Sequence, residues 1–142
     1  WTGDNLIIVR HIASGDSVAF EFPSKRVPVT EDEKNEIAEK RVPNPGSSPF
    51  TREGFKEKIP DYKSLARQLL ADDENRIWVL IHPFQEGDPE WLIYSTDGEL
   101  LGAANHPGGR VTQIRDNRMY VIYSSGDVEP SFGVYELVQS GS

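Results

Sequence analysis

Acidic residues at two predicted turns are the side chains of this sequence best suited to hold a metal ion. Asp72 and Asp73 belong to the run Asp72-Asp73-Glu74, and Asp116 stands in a second turn of the same kind. Ca²⁺ prefers carboxylate oxygens, but the run lacks the alternating ligands and the central glycine of an EF-hand. We therefore expect no resident cofactor, and the only metal the sequence suggests is Ca²⁺ at Asp72, Asp73 and Asp116. The competing interpretation is a solvated turn.

A loop and the first residue provide the candidates for a ligand-binding surface. His106 and Arg110 lie in a segment rich in Pro and Gly between two predicted strand units, and such loops often carry binding residues. Trp1 is an aromatic residue to which the strand pattern assigns no packing role. The other two histidines, His11 and His82, end equivalent strands, which favours a structural position for both. The predicted ligand surface is therefore His106, Arg110 and Trp1.

Catalysis requires residues that this sequence does not supply in a recognisable spacing. The chain has no cysteine, and its turn serines lack the Gly-x-Ser-x-Gly elbow of serine hydrolases. It has no His-Glu-x-x-His motif. The sequence predicts no catalytic residues and favours a binding protein over an enzyme.

The charge balance argues against two classes of partner. Lys and Arg number 15 against 23 Asp and Glu, which gives a formal net charge of -8. Nucleic acids and anionic membranes attract a basic face, and no stretch approaches the roughly 20 apolar residues of a membrane span. We expect neither nucleic-acid binding nor membrane insertion.

Three similar segments must position these residues. Each places an Asn in a predicted turn directly before a run of β-branched and aromatic residues, the pattern of a turn followed by a buried strand. A polar linker and a second aromatic run follow each time, which predicts an antiparallel hairpin. Asn75 and Asn117 are 42 residues apart, a spacing typical of four-stranded propeller blades.

The repeat predicts an all-β fold, a partial β-propeller of about three antiparallel blades with a short helix and loop insertion between the first and second. We expect one domain over residues 1–142. The first unit lacks an inner strand and the last unit lacks an outer strand. The predicted parts are a partial blade at 1–25, the insertion at 26–61, a full blade at 62–107 and a last, partial blade at 108–142.

The insertion departs from the strand pattern. Thr30 followed by Glu33 forms a capping box, and the residues after Thr30 are mostly helix formers with acids first and a lysine last. These features predict a helix over 31–40. A second, brief helix is predicted around 51–58, with Thr51 as its cap.

Several segments carry a resemblance to a known family. Ile59-Pro60-Asp61-Tyr62-Lys63, Trp91-Leu92-Ile93-Tyr94 and Val134-Tyr135-Glu136-Leu137 are similar, in this order, to the carboxy-terminal part of bacterial six-bladed β-propeller proteins of NHL- or TolB-like architecture. The similarity spans nearly the whole chain. Members of that family have six blades and this sequence has about three, so we expect either a longer parent chain or a homodimer that completes the ring.

The resemblance also implies a function and a location. It implies a non-catalytic binding or scaffold module whose loops face a protein, peptide or saccharide partner. The alternative it offers is a fragment of a metal-dependent propeller enzyme of the lyase or lactonase type. The family resemblance points to the bacterial cell envelope, in the periplasm or outside the cell.

Overall fold

The computed structural model describes residues 5–44, 46, 51–125 and 128–138. These residues form two compact units, one from the described parts of Trp1–Lys25 and Ala66–Ser142 and one from the described parts of Arg26–Leu65. Within these ranges, no helix is long and apolar enough to cross a membrane. Trp1, one of the predicted ligand-surface residues, lies outside the described residues.

The unit that contains both ends of the described chain is made of three antiparallel sheets. The first sheet has two strands, the second four and the third three, and in each sheet the strands pair in chain order. The all-β fold is confirmed, and each predicted hairpin is present. The strands are β1 (Leu6–Arg10) and β2 (Ser17–Glu21), then β3 (Ala66–Ala71), β4 (Ile77–Ile81), β5 (Trp91–Tyr94) and β6 (Leu100–Ala104), then β7 (Arg110–Arg115), β8 (Arg118–Ser125) and β9 (Val128–Glu136).

Asp and Asn residues make the tight turns of the second and third sheets. Asn75 has a φ of 61°, and Asp116 and Asn117 have φ values of 54° and 57°, a left-handed conformation that these two residue types tolerate. Arg115 pairs with Arg118 across β7 and β8, so Asp116 and Asn117 form a two-residue loop with positive φ at both positions. That is the geometry of a type I′ hairpin, whose twist matches that of the strands.

The buried core lies between the second and third sheets. Trp78 on β4 and Trp91 on β5 meet edge to face, with ring centroids 6.2 Å apart. At the inner edge, the Gln68 side-chain amide on β3 donates a hydrogen bond to the Val111 carbonyl on β7 at 2.6 Å. Burial of these large apolar groups is the main force that holds the two sheets together. The core residues are Trp78, Leu80, Trp91, Val111, Ile114, Met119 and Val121.

The second and third sheets share one register of cross-strand pairs. In each sheet, one strand follows the Asn turn. Its residues at three and five positions after that Asn lie on one face of the sheet, and each pairs with a residue of the next strand. The repeat seen in the sequence therefore extends to the side chains that pair across the strands. The corresponding pairs are Trp78–Ile93 and Leu80–Trp91 in the second sheet, and Tyr120–Val134 and Ile122–Phe132 in the third.

The first hairpin matches the repeat in sequence, but it buries the opposite side of its strands. Ile7 is buried and pairs with Phe20, whose ring centroid lies 4.9 Å from that of Tyr94 in the second sheet. Ile8 occupies the position that matches the buried Trp78, yet it is 66% exposed. Phe20 is the large apolar residue of β2 and lies on the Ile7 side, so that side packs against the next sheet.

The unit Arg26–Leu65 contains α1 (Glu31–Arg41), which begins with the predicted capping box. The Thr30 hydroxyl accepts the Glu33 backbone N–H at 3.1 Å, and the Glu33 carboxylate accepts the Thr30 backbone N–H at 3.4 Å. These bonds satisfy N–H groups that have no partner within a helix. The predicted helix and its cap are confirmed.

The predicted second helix is α2 (Arg52–Glu57). Thr51 caps it by accepting the Gly54 backbone N–H at 3.0 Å. An ion pair of 2.7 Å joins Lys56 of this helix to Glu31 at the start of α1, and this contact lowers the pKa of Glu31. The two helices of the insertion are thus linked by a charged contact.

Candidate functional site

The turn between β3 and β4 is organised around the carboxylate of Asp72. Its Oδ1 accepts the backbone N–H groups of Glu74 at 2.9 Å and Arg76 at 2.8 Å. Its Oδ2 accepts Nε of Arg76 at 2.6 Å and Nε1 of Trp78 at 2.9 Å. Burial opposes the charged form, but these hydrogen bonds outweigh it and hold the pKa of Asp72 below its usual range. Both oxygens therefore serve to fix the turn and the Trp78 indole.

The structure brings Asp73 and Asp116 together from neighbouring turns. Asp73 Oδ2 accepts the backbone N–H of Asp116 at 3.0 Å, while the Asp116 carboxylate lies 3.6 Å from Nε of Arg115. Across residues 5–44, 46, 51–125 and 128–138, no three His, Asp or Glu side chains are grouped as metal ligands. Asp72 is held by its own N–H donors. The Ca²⁺ site stays a prediction, with Asp73 and Asp116 as its more accessible oxygens.

His106 follows β6 and interacts with the core through Trp91. The Trp91 indole N–H donates to Nδ1 of His106 at 3.0 Å. Burial lowers the pKa of His106, although the charge of Glu90 opposes this shift. Because an indole N–H can donate only to an unprotonated nitrogen, the imidazole is neutral and carries its proton on Nε2. His106 therefore helps to orient Trp91 at the same time as it borders the cleft described next.

A cleft runs between the outer strand of the second sheet and the end of β9. Its two adjoining parts have volumes of about 510 and 660 Å³, and His106 lines the first of them. A Cβ atom added to Gly102 would meet no other atom within 4 Å. The small residues of β6 thus leave this space open. The residues that line both parts are Ala103, Ala104, Leu137 and Val138.

Two tyrosines form a polar contact at one end of the cleft. The hydroxyls of Tyr123 and Tyr135 are hydrogen-bonded to each other, and Tyr123 also donates to the Pro107 carbonyl at 3.2 Å. The bond with Tyr135 raises the pKa of Tyr123. A Cβ at Gly133 would lie 3.1 Å from the Tyr123 ring and 3.2 Å from that of Tyr135. Glycine at this position lets both rings lie over β9.

The edge of β9 that faces away from β8 is open. Within the described strands, β9 pairs with β8 alone. The Leu137 backbone N–H donates to the Asn117 carbonyl at 2.7 Å. Because the direction alternates along a strand, the backbone N–H and C=O groups of Tyr135 and Gly133 also point toward β8. The N–H and C=O groups of Phe132, Val134 and Glu136 therefore point to the free edge. Pro130 lies on the same side, where its missing N–H removes no bond to β8.

The predicted ligand-surface residues are not all brought together. His106 borders the cleft, whereas Arg110 pairs with Ile122 and lies on the face of the third sheet opposite the core. Sequence reasoning did not find the cleft, but it predicted that the last unit lacks an outer strand, and within the described strands β9 is the last of its sheet. Gly102 and Ala104 on the outer strand leave space for a cleft, and Pro130 within a strand is typical of an edge. These residues indicate a cleft and an open edge only when it is known which strands are neighbours.

Comparisons of the chain with models of protein families, with curated proteins and with solved structures find no match. The function must therefore be argued from the geometry of the cleft and of the strands around it. The predicted enzyme alternative, a lyase or lactonase fragment, stays a prediction.

Proposed function

We propose that this chain is a partial β-propeller that serves as a non-catalytic binding module for an extended peptide. Two features of the packing support the propeller part of the proposal. The second and third sheets are antiparallel meanders packed face to face with one register, and their first strands, β3 and β7, are neighbours. Adjacent propeller blades stack in this way, with their first strands innermost.

The open edge of β9 beside the cleft is the observation that carries the binding part. Three residues, Phe132, Val134 and Glu136, direct backbone donors and acceptors to that edge. An extended peptide can add to such an edge as a further strand, with main-chain hydrogen bonds that supply affinity and side-chain pockets that supply specificity. The added strand would give the third sheet the four strands that the second sheet already has.

The cleft defines the peptide that fits. Alternate side chains of an added strand point to one face, and on the core side they would enter the space left by Gly102 and Ala104. Side chains of moderate size with an apolar stem fit that space, because Ile93 and Leu137 line it together with the polar Arg76 and Asn117. The chain carries a net charge of -8, which favours peptides with basic residues at the other positions.

The test is a selection from a displayed library of random peptides, followed by NMR titration with a selected peptide. We expect selected peptides to alternate apolar with polar or basic residues. The largest shifts should fall on the amides of Phe132, Val134 and Glu136. The same peptide methylated on alternate backbone nitrogens should bind at least about tenfold more weakly, because strand addition depends on those N–H groups.

A substitution that fills the cleft tests whether the peptide binds there. Gly102→Leu places a side chain into open space and should abolish peptide binding without loss of stability, whereas Gly46→Leu, where an added Cβ also meets nothing within 4 Å, should leave it unchanged. The proposal is wrong if the library yields no binder, if the methylated peptide binds equally well, or if the shifts lie away from β9.

A further inference from the structure

His106 connects the buried core to the wall of the cleft. Its Nδ1 accepts the indole N–H of Trp91 at 3.0 Å, and the two rings meet edge to face with centroids 5.9 Å apart. Trp91 is fully buried in the core, whereas His106 lines the part of the cleft that borders β9. A change in the charge of this imidazole therefore affects a contact of the core and the wall of the cleft together.

The segment after His106 is linked to β9 by the two tyrosines. The Pro107 carbonyl accepts the Tyr123 hydroxyl at 3.2 Å, and Tyr123 is hydrogen-bonded to Tyr135 of β9. Pro107 and Tyr135 line the same part of the cleft as His106. The position of His106 is thus connected, through its neighbour in the chain, to the strand beside which the peptide is proposed to add.

The contact with Trp91 requires the neutral imidazole. Nδ1 accepts the indole N–H with its lone pair, and a proton on Nδ1 would place two N–H donors against each other. Histidine is the side chain that changes charge between about pH 5 and pH 8, so a modest fall in pH is enough to break this contact. The imidazolium must then turn away from Trp91 or displace the segment that carries it, and either movement changes the wall of the cleft.

The charged groups near His106 favour its neutral form at neutral pH. Burial lowers the pKa of His106, and the charge of Arg67 acts in the same direction. The charge of Glu90 and the Gly109 carbonyl raise the pKa, but Glu90 is paired with Arg67 at 2.6 Å. This carboxylate is therefore not free to hold an imidazolium.

β9 contributes one acid to the same part of the cleft. The residues of β9 and its end that line it are Tyr135, Glu136, Leu137 and Val138. Glu136 is paired with Arg118 across β8 and β9, so its side chain stands on the face of the third sheet opposite the core. Neither this acid nor Glu90 offers the imidazolium a partner that would replace Trp91.

We propose that His106 makes peptide binding dependent on pH, with the neutral imidazole required for a bound peptide. This inference rests on the proposed binding of a peptide beside β9. The imidazolium disrupts the contact with Trp91 and also repels the basic residues that the acidic chain favours in a peptide. Both effects weaken binding in acid. By linkage, a bound peptide must in turn lower the affinity of His106 for its proton.

The first experiment measures the Kd of a selected peptide at a series of pH values by titration calorimetry. The peptide has blocked termini and no His, Asp or Glu, so it does not titrate in this range. A single coupled proton changes Kd by at most tenfold per pH unit, and we expect Kd to rise about three- to tenfold between about pH 7.5 and about pH 5. Circular dichroism verifies that the chain stays folded over this range.

Two variants separate His106 from the other groups that titrate. Glutamine carries no charge, so His106→Gln should remove the pH dependence of Kd. His11→Gln, at an exposed histidine at the end of β1, is the matched control and should keep the wild-type dependence. An NMR titration of the imidazole resonances gives the pKa of His106 with and without peptide, and this pKa should be lower in the complex.

The outcomes distinguish this inference from the proposed function. A peptide that binds at β9 with the same Kd at both ends of the pH range, or that leaves the pKa of His106 unchanged, would overturn the pH dependence and leave the peptide site in place. An unchanged pH dependence in His106→Gln would also overturn it. A chain that binds no peptide at β9 at neutral pH would overturn both.

Discussion

Replacing Asp72 with Ala should be one of the most damaging single substitutions in this chain. The substitution leaves four N–H groups without their acceptor, among them the indole N–H of the buried Trp78. It also separates a carboxylate from the Arg76 guanidinium at 2.6 Å. Arg76 keeps 29% of its side chain exposed, so water can solvate its charge, and the main cost comes from the buried Trp78 N–H and the turn N–H groups that lose their acceptor. An unsatisfied buried donor costs about 1 to 3 kcal/mol, and we expect a loss near the upper end of this range in the free energy of unfolding.

Urea unfolding of wild type and Asp72→Ala measures the loss, with an unchanged m-value as the sign that only stability has changed. Asp73→Ala is the matched control, because Asp73 is exposed and accepts one hydrogen bond; its cost should be about 1 kcal/mol or less. Trp78→Phe removes the indole donor and keeps a large ring. Its effect should be coupled to that of Asp72→Ala by about 1.5 to 3 kcal/mol, the contribution of a hydrogen bond to a charged acceptor.

The pH dependence provides a second check on the same carboxylate. The folded-state pKa of Asp72 is lowered, so the stability it contributes is complete above the unfolded pKa of about 3.9 and is lost as the pH falls through the folded value. The difference between wild type and Asp72→Ala should shrink below about pH 4. A loss under about 1 kcal/mol at neutral pH would refute the structural role assigned to Asp72.

Two further predictions concern other close contacts. Gly98 has a φ of +90°, and a Cβ there would lie 2.8 Å from the Phe20 side chain, so Gly98→Ala should destabilise by about 1 to 3 kcal/mol in the same urea assay; a neutral result would contradict the contact between the first and second sheets. The lowered pKa of His106 means that its neutral form favours folding, so stability should fall as the pH drops below about 6.5. His106→Gln should flatten that part of the thermal-stability profile, and an identical slope would count against the Trp91 contact.

The strands could be predicted from the sequence because local signals defined them. An Asn or Asp-Asn turn before each apolar run marks where β4 and β8 begin, and the left-handed φ of Asn75 and Asn117 is the property for which those residues are suited. The capping box at Thr30 is equally local. Such features depend on residues a few positions apart, so the sequence carries them directly.

The side of each strand that is buried could not be predicted in the same way. Ile8 and Trp78 stand at matching positions, yet Ile8 is exposed and Trp78 is buried, because the position of Phe20 on β2 decides which side of the first hairpin packs. The acidic turn shows the same limit. Asp72 and Asp73 are adjacent and identical, but only Asp72 faces the donors that hold it, which makes one residue a structural element and leaves the other accessible.

The peptide proposal assigns binding to the backbone of β9 and to the cleft, and not to the side chains on the other side of that strand. In a β-strand, the backbone hydrogen-bonding groups lie in the plane of the sheet, while side chains stand above and below it. Phe132 therefore offers its N–H to an added peptide at the free edge, while its ring stands on the side of the third sheet opposite the core. Phe132→Lys keeps the N–H and removes the ring, so it should preserve peptide binding, whereas Gly102→Leu should abolish it. Loss of binding in Phe132→Lys with the fold retained would contradict strand addition at this edge.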